Sequence, residues 1–181
     1  MYLVFTCWLS GSNSIGKMPD LEEPWMTGAP RLIDYSLPLK YEIDQESTGN
    51  IMSDYYIVAY PLMSDRLVAA LEEAGIDNLQ KFDAEIYNPL DDKTYTNYKA
   101  VNIIGAISCV DKEKSDIQID NGDFASSFNG FSVDESKAAG NIFFRLKENV
   151  AVVLADEKVA DIVEEKDIPG ISFIYPENWA V

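Results

Sequence analysis

Two stretches of this chain carry the residue types of nucleotide chemistry. Near the start, "VFTCWLSGSNSIGKMPD" spaces Gly11, Gly16 and Lys17 as a phosphate-binding loop would. In such a loop glycines let backbone N–H groups wrap the phosphates, the lysine reaches the outer oxygens, and a following Ser or Thr holds magnesium. Late in the chain, "VAVVLADE" ends an apolar run in Asp156-Glu157, in the manner of a magnesium-holding strand. Both fail in detail. The hydroxyl position is Met18, whose thioether is a poor ligand for a hard cation. Pro19 follows at once, with Pro24 and Pro30 behind it, so no long helix can present its N-terminus to a phosphate. Asp156 stands where a helix needs its N-cap, and Glu157 suits a first turn. Nucleotide hydrolysis is set aside.

Histidine is absent. That removes Ser-His-Asp and Cys-His nucleophile pairs, His-containing zinc sites and imidazole bases together. Cys109 ends an apolar run with no base to activate it, and reads as an inert core thiol. The segment "DIQIDNGD" resembles a calcium loop, but counting from Asp116 puts Asn121 and Ser127 where an EF-hand needs Gly and Glu. A tight turn at Asn121-Gly122 fits it better. Carboxylate pairs for glycoside chemistry exist among 31 acidic residues, but no spacing selects one. No catalytic residue, metal site or cofactor is expected.

The charge balance is the strongest compositional signal. Fourteen Lys and Arg against 31 Asp and Glu leave a net charge of −17. Such a field repels nucleic acid and anionic membranes and steers basic partners in. No run is long and apolar enough to span a bilayer. The opening "MYLVFTCWLS" lacks a basic flank and reads as a first strand. Two cysteines make no disulfide framework, so a cytoplasmic location is expected.

A chain of 181 residues is expected to form one α+β domain, a mixed and mostly antiparallel sheet with two short amphipathic helices. The helices fall at about 65–74 and 156–166, each opening on an acidic or hydroxyl cap. Residues 1–55 are expected to be an irregular layer beside a core at 56–181, with residues 10–30 as loop. Strands are expected at Asp54–Leu62, at Leu79–Asn88, at 98–110 as one central strand, at 116–119, at 141–148 and 151–155 as two strands, and at "GISFIYP". "DNGDFASSFNGFS" reads as loop. The segment Asp65–Phe82 also aligns without gaps on Asp156–Phe173, placing Val68 on Val159 and Leu71 on Ile162. Helical periodicity makes any two amphipathic helices look alike, so duplication and coincidence both stay open. Trp8, Trp25 and Trp179 read mainly as packing residues, with Trp25 also a candidate exposed anchor in "DLEEPWMTG".

Three segments carry a family resemblance: "PLMSDRLVAALEEAGIDNLQKFDAEI", "YTNYKAVNIIGAISCVDKEKSD" and "IFFRLKENVAVVLADEKVADIVEEKDIPGISF". Their order and spacing, over roughly residues 60–173, resemble immunity protein family eleven of bacterial polymorphic-toxin systems. The resemblance implies a non-enzymatic protein that binds and neutralises a cognate toxin, with no catalytic residues to carry over. With a charge of −17 that toxin is expected to be basic. The expected contact residues are Asp111, Glu113 and Asp116, or Asp20, Glu22, Glu23 and Trp25. A homodimer through an exposed strand edge is the alternative arrangement, and a small carboxylate-dependent enzyme is the alternative activity.

Overall fold

The first apolar run forms strand β1 (Tyr2–Cys7), whose alternating side chains serve two different cores. Phe5 enters one, Tyr2 and Val4 the other. In a computed structural model, which describes residues 1–21, 28–30, 36–120, 124–138 and 140–181, β1 lies inside a five-stranded sheet. The chain continues through β2 (Ile15–Lys17), β3 (Leu39–Ile43), β4 (Tyr55–Tyr56), β5 (Leu62–Ser64) and helix α1 (Asp65–Glu73). It then forms the long hairpin β6 (Leu79–Asn88) and β7 (Lys93–Ile103), followed by β8 (Ala106–Ile107), β9 (Ile117–Ile119) and β10 (Ala125–Phe128). The last part is α2 (Glu135–Ala138), β11 (Phe143–Leu146), β12 (Asn149–Asp156), α3 (Glu157–Glu164) and β13 (Ile171–Ile174). The fold is α+β, as the sequence implied.

One sheet runs β13-β1-β12-β11-β8 and the other β2-β3-β6-β7-β5-β4. They share a core with α1 and α3, built from Phe5, Met63, Leu67, Leu71, Val101, Ile103, Phe143, Val153, Ala155, Val159 and Val163. Each sheet buries its opposite face under a further cluster. Loops from 107–133 and Trp179 cover Val4, Phe144 and Leu154, while Leu21, Tyr56 and Tyr60 cover Leu62, Tyr98 and Ala100.

The two helical segments occupy equivalent places. In one unit β5 and β6 flank β7, antiparallel to both, and α1 connects them. In the other, β12 and β13 flank β1 in the same way, connected by α3. Leu62 pairs with Ala100, which pairs with Phe82; Leu154 pairs with Val4, which pairs with Ile174. The spacing from Leu62 to Phe82 equals that from Leu154 to Ile174. The structure shifts the expected alignment by one residue, however. The helix caps are Ser64, accepting from Leu67 N–H, and Asp156, accepting from Lys158 N–H. Ser64 therefore matches Asp156, and Leu67, Val68, Ala70 and Leu71 match Val159, Ala160, Ile162 and Val163. Met63 and Ala155 then both face the shared core. A helical stripe tolerates a slip of one position, whereas a strand does not, because the slip moves every side chain to the other face.

Four other expectations change. Asp54–Leu62 is not one strand: β4 and β5 fold back on each other across residues 57–61, which end in Pro61, a residue with no N–H to give a ladder. The run 98–110 breaks after Ile103. Gly105, at φ +106°, turns the chain out of one sheet, and β8 joins the other beside β11. The expected loop after Asp120 contains β10, paired with β9, where buried Ala125 and Phe128 are masked in sequence by two serines between them. Residues 121–123, with the expected Asn121-Gly122 turn, lie outside the described residues. Lastly, Ile15–Lys17 is a strand beside β3, with Lys17 Nζ 2.7 Å from Glu42 Oε1, so the glycine-lysine spacing serves sheet pairing.

Arg145 on β11 is 1% exposed and sits in this packing with burial pushing its pKa down. Its Nη1 donates to the Val150 carbonyl at 2.7 Å, while Nε and Nη2 have no partner among the described residues. A buried N–H without an acceptor costs about 1–3 kcal/mol. Arg145→Met, of similar length and without donors, is expected to raise the urea midpoint. A lower midpoint would show that the Val150 contact outweighs the two orphaned donors.

Candidate functional site

The loop after buried Val110 holds the first group of expected contact residues. Asp111 Oδ2 accepts from Lys114 Nζ at 2.7 Å and its Oδ1 from Glu113 N–H at 3.2 Å. The lysine holds the Asp111 carboxyl below the usual carboxylate range. Ser115 Oγ donates to the Asp111 carbonyl and accepts from Ser132 N–H, stapling the loop to residues 130–132. Asp116 Oδ2 accepts from Asn129 Nδ2 at 2.8 Å, and its N–H donates to the Gly130 carbonyl. Asp111 and Asp116 thus organise the loop, and Glu113 projects into solvent.

Asp116 also lines an open cleft of about 530 Å³ with Lys114, Asn129, Phe131, Glu135 and Glu177. Three carboxylates face Lys114 and the Met1 ammonium, which lies 3.7 Å from Glu135, and a short distance away the Asp134 carboxyl is held low by Ser136. A general acid needs the opposite, a carboxyl raised by burial. Cys109, fully buried beneath this loop, has its thiol pushed up to about 12 by desolvation and nearby Glu148, so it offers no thiolate at neutral pH. Among the described residues no three His, Cys, Asp or Glu are placed to hold a metal ion. No helix among them is long and apolar enough to cross a membrane.

Of the second group only Asp20 lies among the described residues, and it does not join the first. Asp20 is exposed beside Leu21, which packs on the outer face of the six-stranded sheet; Asp111 lies over the outer face of the five-stranded sheet. Both sheets separate them. Glu22, Glu23 and Trp25 lie outside the described residues. Asp156, the other half of the nucleotide look-alike, is the N-cap of α3.

Sequence reasoning missed Trp8. Read with the other tryptophans as packing, it is 84% exposed, the most exposed large apolar side chain among the described residues. Its backbone N–H donates to the Gly170 carbonyl at 2.7 Å, fixing it at the end of β1 beside the start of β13. The only hint in the sequence is its place at the last step of the alternating run, before the polar "SGSNS".

No curated protein matches the chain. A family model does, that of the immunity protein family Imm11, over residues 12–177. The match begins well before residue 60 and so takes in β2, β3 and the loops around them as well as both helical units. Covering most of the 181 residues and agreeing with the motif order noted above, it shows that the chain belongs to the immunity protein family Imm11.

Proposed function

We propose that this protein is the antidote of a bacterial polymorphic-toxin system, a non-enzymatic inhibitor that binds a basic toxin in the cytoplasm and occludes it. The observation that carries the reading is the family match across 12–177. A charge of −17 supports the basic partner, since a field of that sign speeds capture of a cation-rich surface. The acidic loop and cleft at Asp111, Glu113 and Asp116 are one contact surface consistent with it. Asp20, with Glu22, Glu23 and Trp25, is another.

The test is co-expression with the cognate toxin that this reading requires, to be sought among the products of neighbouring genes. Cells should die with the toxin alone and grow when this protein is present, and the two should co-purify in a fixed ratio. The association rate should fall at least about tenfold between ~0.05 M and ~0.5 M salt, because the Debye length shrinks to a few ångströms. Failure to rescue growth despite soluble expression sinks the reading. A salt-insensitive rate keeps the inhibition but removes the electrostatic capture.

A further inference from the structure

The five-stranded sheet ends on one side at β13, and its register against β1 fixes which backbone groups face outward there. Val4 lies opposite Ile174 and Cys7 opposite Ile171, and one step on, Trp8 N–H donates to the Gly170 carbonyl at 2.7 Å. In an antiparallel ladder, opposed residues alternate between exchanging both bonds and exchanging none. Gly170, Ser172 and Ile174 therefore bond to β1, whereas Ile171 and Phe173 turn their N–H and C=O groups away from it. The Ile171 N–H is used locally, donating to the Ile168 carbonyl. The Ile171 carbonyl and both backbone groups of Phe173 have no hydrogen-bond partner among the described residues.

An open sheet edge recruits another chain unless it is short, bulged, charged or covered. The other edges described here are protected in these ways. β4 and β8 have two residues each. β2 has three, with Lys17 and a register shift, and β9 has three between Asp116 and Asp120. The far edge of β10 is covered, since Ala125 N–H donates to the Glu148 carbonyl and Phe128 exchanges both its bonds with Val181. β13 has none of these devices: its four residues, Ile-Ser-Phe-Ile, carry no charge, proline or bulge. Ile171 and Phe173 also stand only partly buried at the margin of the shared core, so one more strand would cover them as well as pair with them.

Charge says whose strand fits. Asp167 precedes β13 and Glu177 follows it, and neither has a Lys or Arg within ion-pair distance among the described residues. Lys166, next to Asp167, is taken by Glu73. Two copies of this chain joined edge to edge would bring two such acidic strand ends together, each on a body of charge −17. A segment with basic ends meets attraction instead. We propose that β13 is extended by a strand of a basic partner protein, whose apolar side chains cover Ile171 and Phe173 and whose flanking Lys or Arg residues meet Asp167 and Glu177. In such strand addition the main-chain bonds supply affinity and the side-chain contacts select the partner. The proposal rests on the inhibitor reading above and says how the toxin is held. Because Glu177 also lines the cleft of Asp116, the added strand would leave the edge beside that acidic wall.

The probe is the toxin identified by the co-expression test, purified in an inactive form. In the wild-type chain the Phe173 amide should exchange its hydrogen freely when alone, and at least about tenfold more slowly in the complex. A semisynthetic chain with N-methylated Phe173 keeps the ring and every bond to β1 and loses only the outward donor. It should melt as wild type does and bind about tenfold or more weakly, whereas Asp20→Lys, on the other sheet, should weaken binding by less than about threefold. A complex in which the Phe173 amide exchanges as it does in the free chain overturns the edge and leaves the inhibitor reading standing, whatever the variants do. So does tight binding by the N-methylated chain. A free chain that is already dimeric, with the Phe173 amide protected, assigns the edge to a second copy and overturns the proposal. If wild type neutralises and binds no toxin, the inhibitor reading falls and the proposal with it.

Discussion

Raising the pH through about 11 is expected to unfold this protein, with the whole transition lying above the ordinary tyrosine pKa of about 10. Burial pushes the Tyr55 and Tyr56 hydroxyls up to about 12, and those of Tyr41 and Tyr98 higher still. The neutral phenol fits these sites: Tyr41 donates to the Tyr60 carbonyl, and Tyr98 donates to the Ser53 carbonyl at 2.8 Å. The unfolded chain releases these protons near pH 10 and the folded one does not. Their contribution is therefore complete below pH 10 and is lost as the pH climbs toward 12. One unit above the unfolded pKa, each such tyrosine forfeits about 1.4 kcal/mol. Four together forfeit about 6 kcal/mol, comparable to the whole stability of a marginal domain. The chain has no histidine, the side chain whose ordinary pKa falls in the physiological window. Circular dichroism and tyrosinate absorbance, followed against pH, should change together. Tyr55→Phe, which keeps the ring that stacks on Phe5, should move the midpoint upward. Full tyrosinate absorbance, from the buried tyrosines as well as exposed Tyr87 and Tyr175, developing while the native spectrum is intact would show that these hydroxyls reach solvent without unfolding.

Phe5→Ala is expected to cost about 3–5 kcal/mol, the range for deleting a buried aromatic side chain. Phe5 stands at the centre of an aromatic group that joins the two sheets. Its ring stacks on Tyr55 at 5.1 Å, meets Phe143 edge-on at 5.3 Å, and lies 5.5 Å from Phe173. Tyr55 belongs to the six-stranded sheet and the other two to the five-stranded sheet. Removing Phe5 thus opens a void where the sheets meet, and neither β-layer can collapse into it without shifting its partner. Chemical denaturation should show a lower midpoint with a similar slope. Phe5→Leu, which keeps most of the volume, should recover more than half of the loss. A drop below about 1 kcal/mol for Phe5→Ala would mean that the sheets are held together mainly through α1 and α3.

These effects were only partly legible in the sequence. The tyrosine count is plain, but a tyrosine's pKa depends on what covers it, and Tyr41 and Tyr98 are covered by chain that is distant in sequence. Both long helices and the β6–β7 hairpin were readable because their signals are local: a cap, a 3.6-residue stripe, a stop, an alternating run. The strands that were misread, at Tyr55–Ser64, around Gly105 and at Ala125–Phe128, are short segments whose extended form is imposed by a neighbour. The expected contact residues show the same divide. Their acidity was readable, but Asp111 and Asp116 prove to be occupied by Lys114 and Asn129, whereas Trp8 was passed over because exposure has no local signature.

By itself the sequence determined the charge of −17, the absence of histidine chemistry, the class of fold and the family, because each is a property of residue type or of short-range order. Only the tertiary structure decided that the first strand lies between β12 and β13, that the two helical units match with Ser64 on Asp156, and that Asp20 and Asp111 sit on opposite layers. Strand neighbours and register are settled by which face must be buried against which distant partner. That choice is made by the packed core as a whole and is written in no single segment.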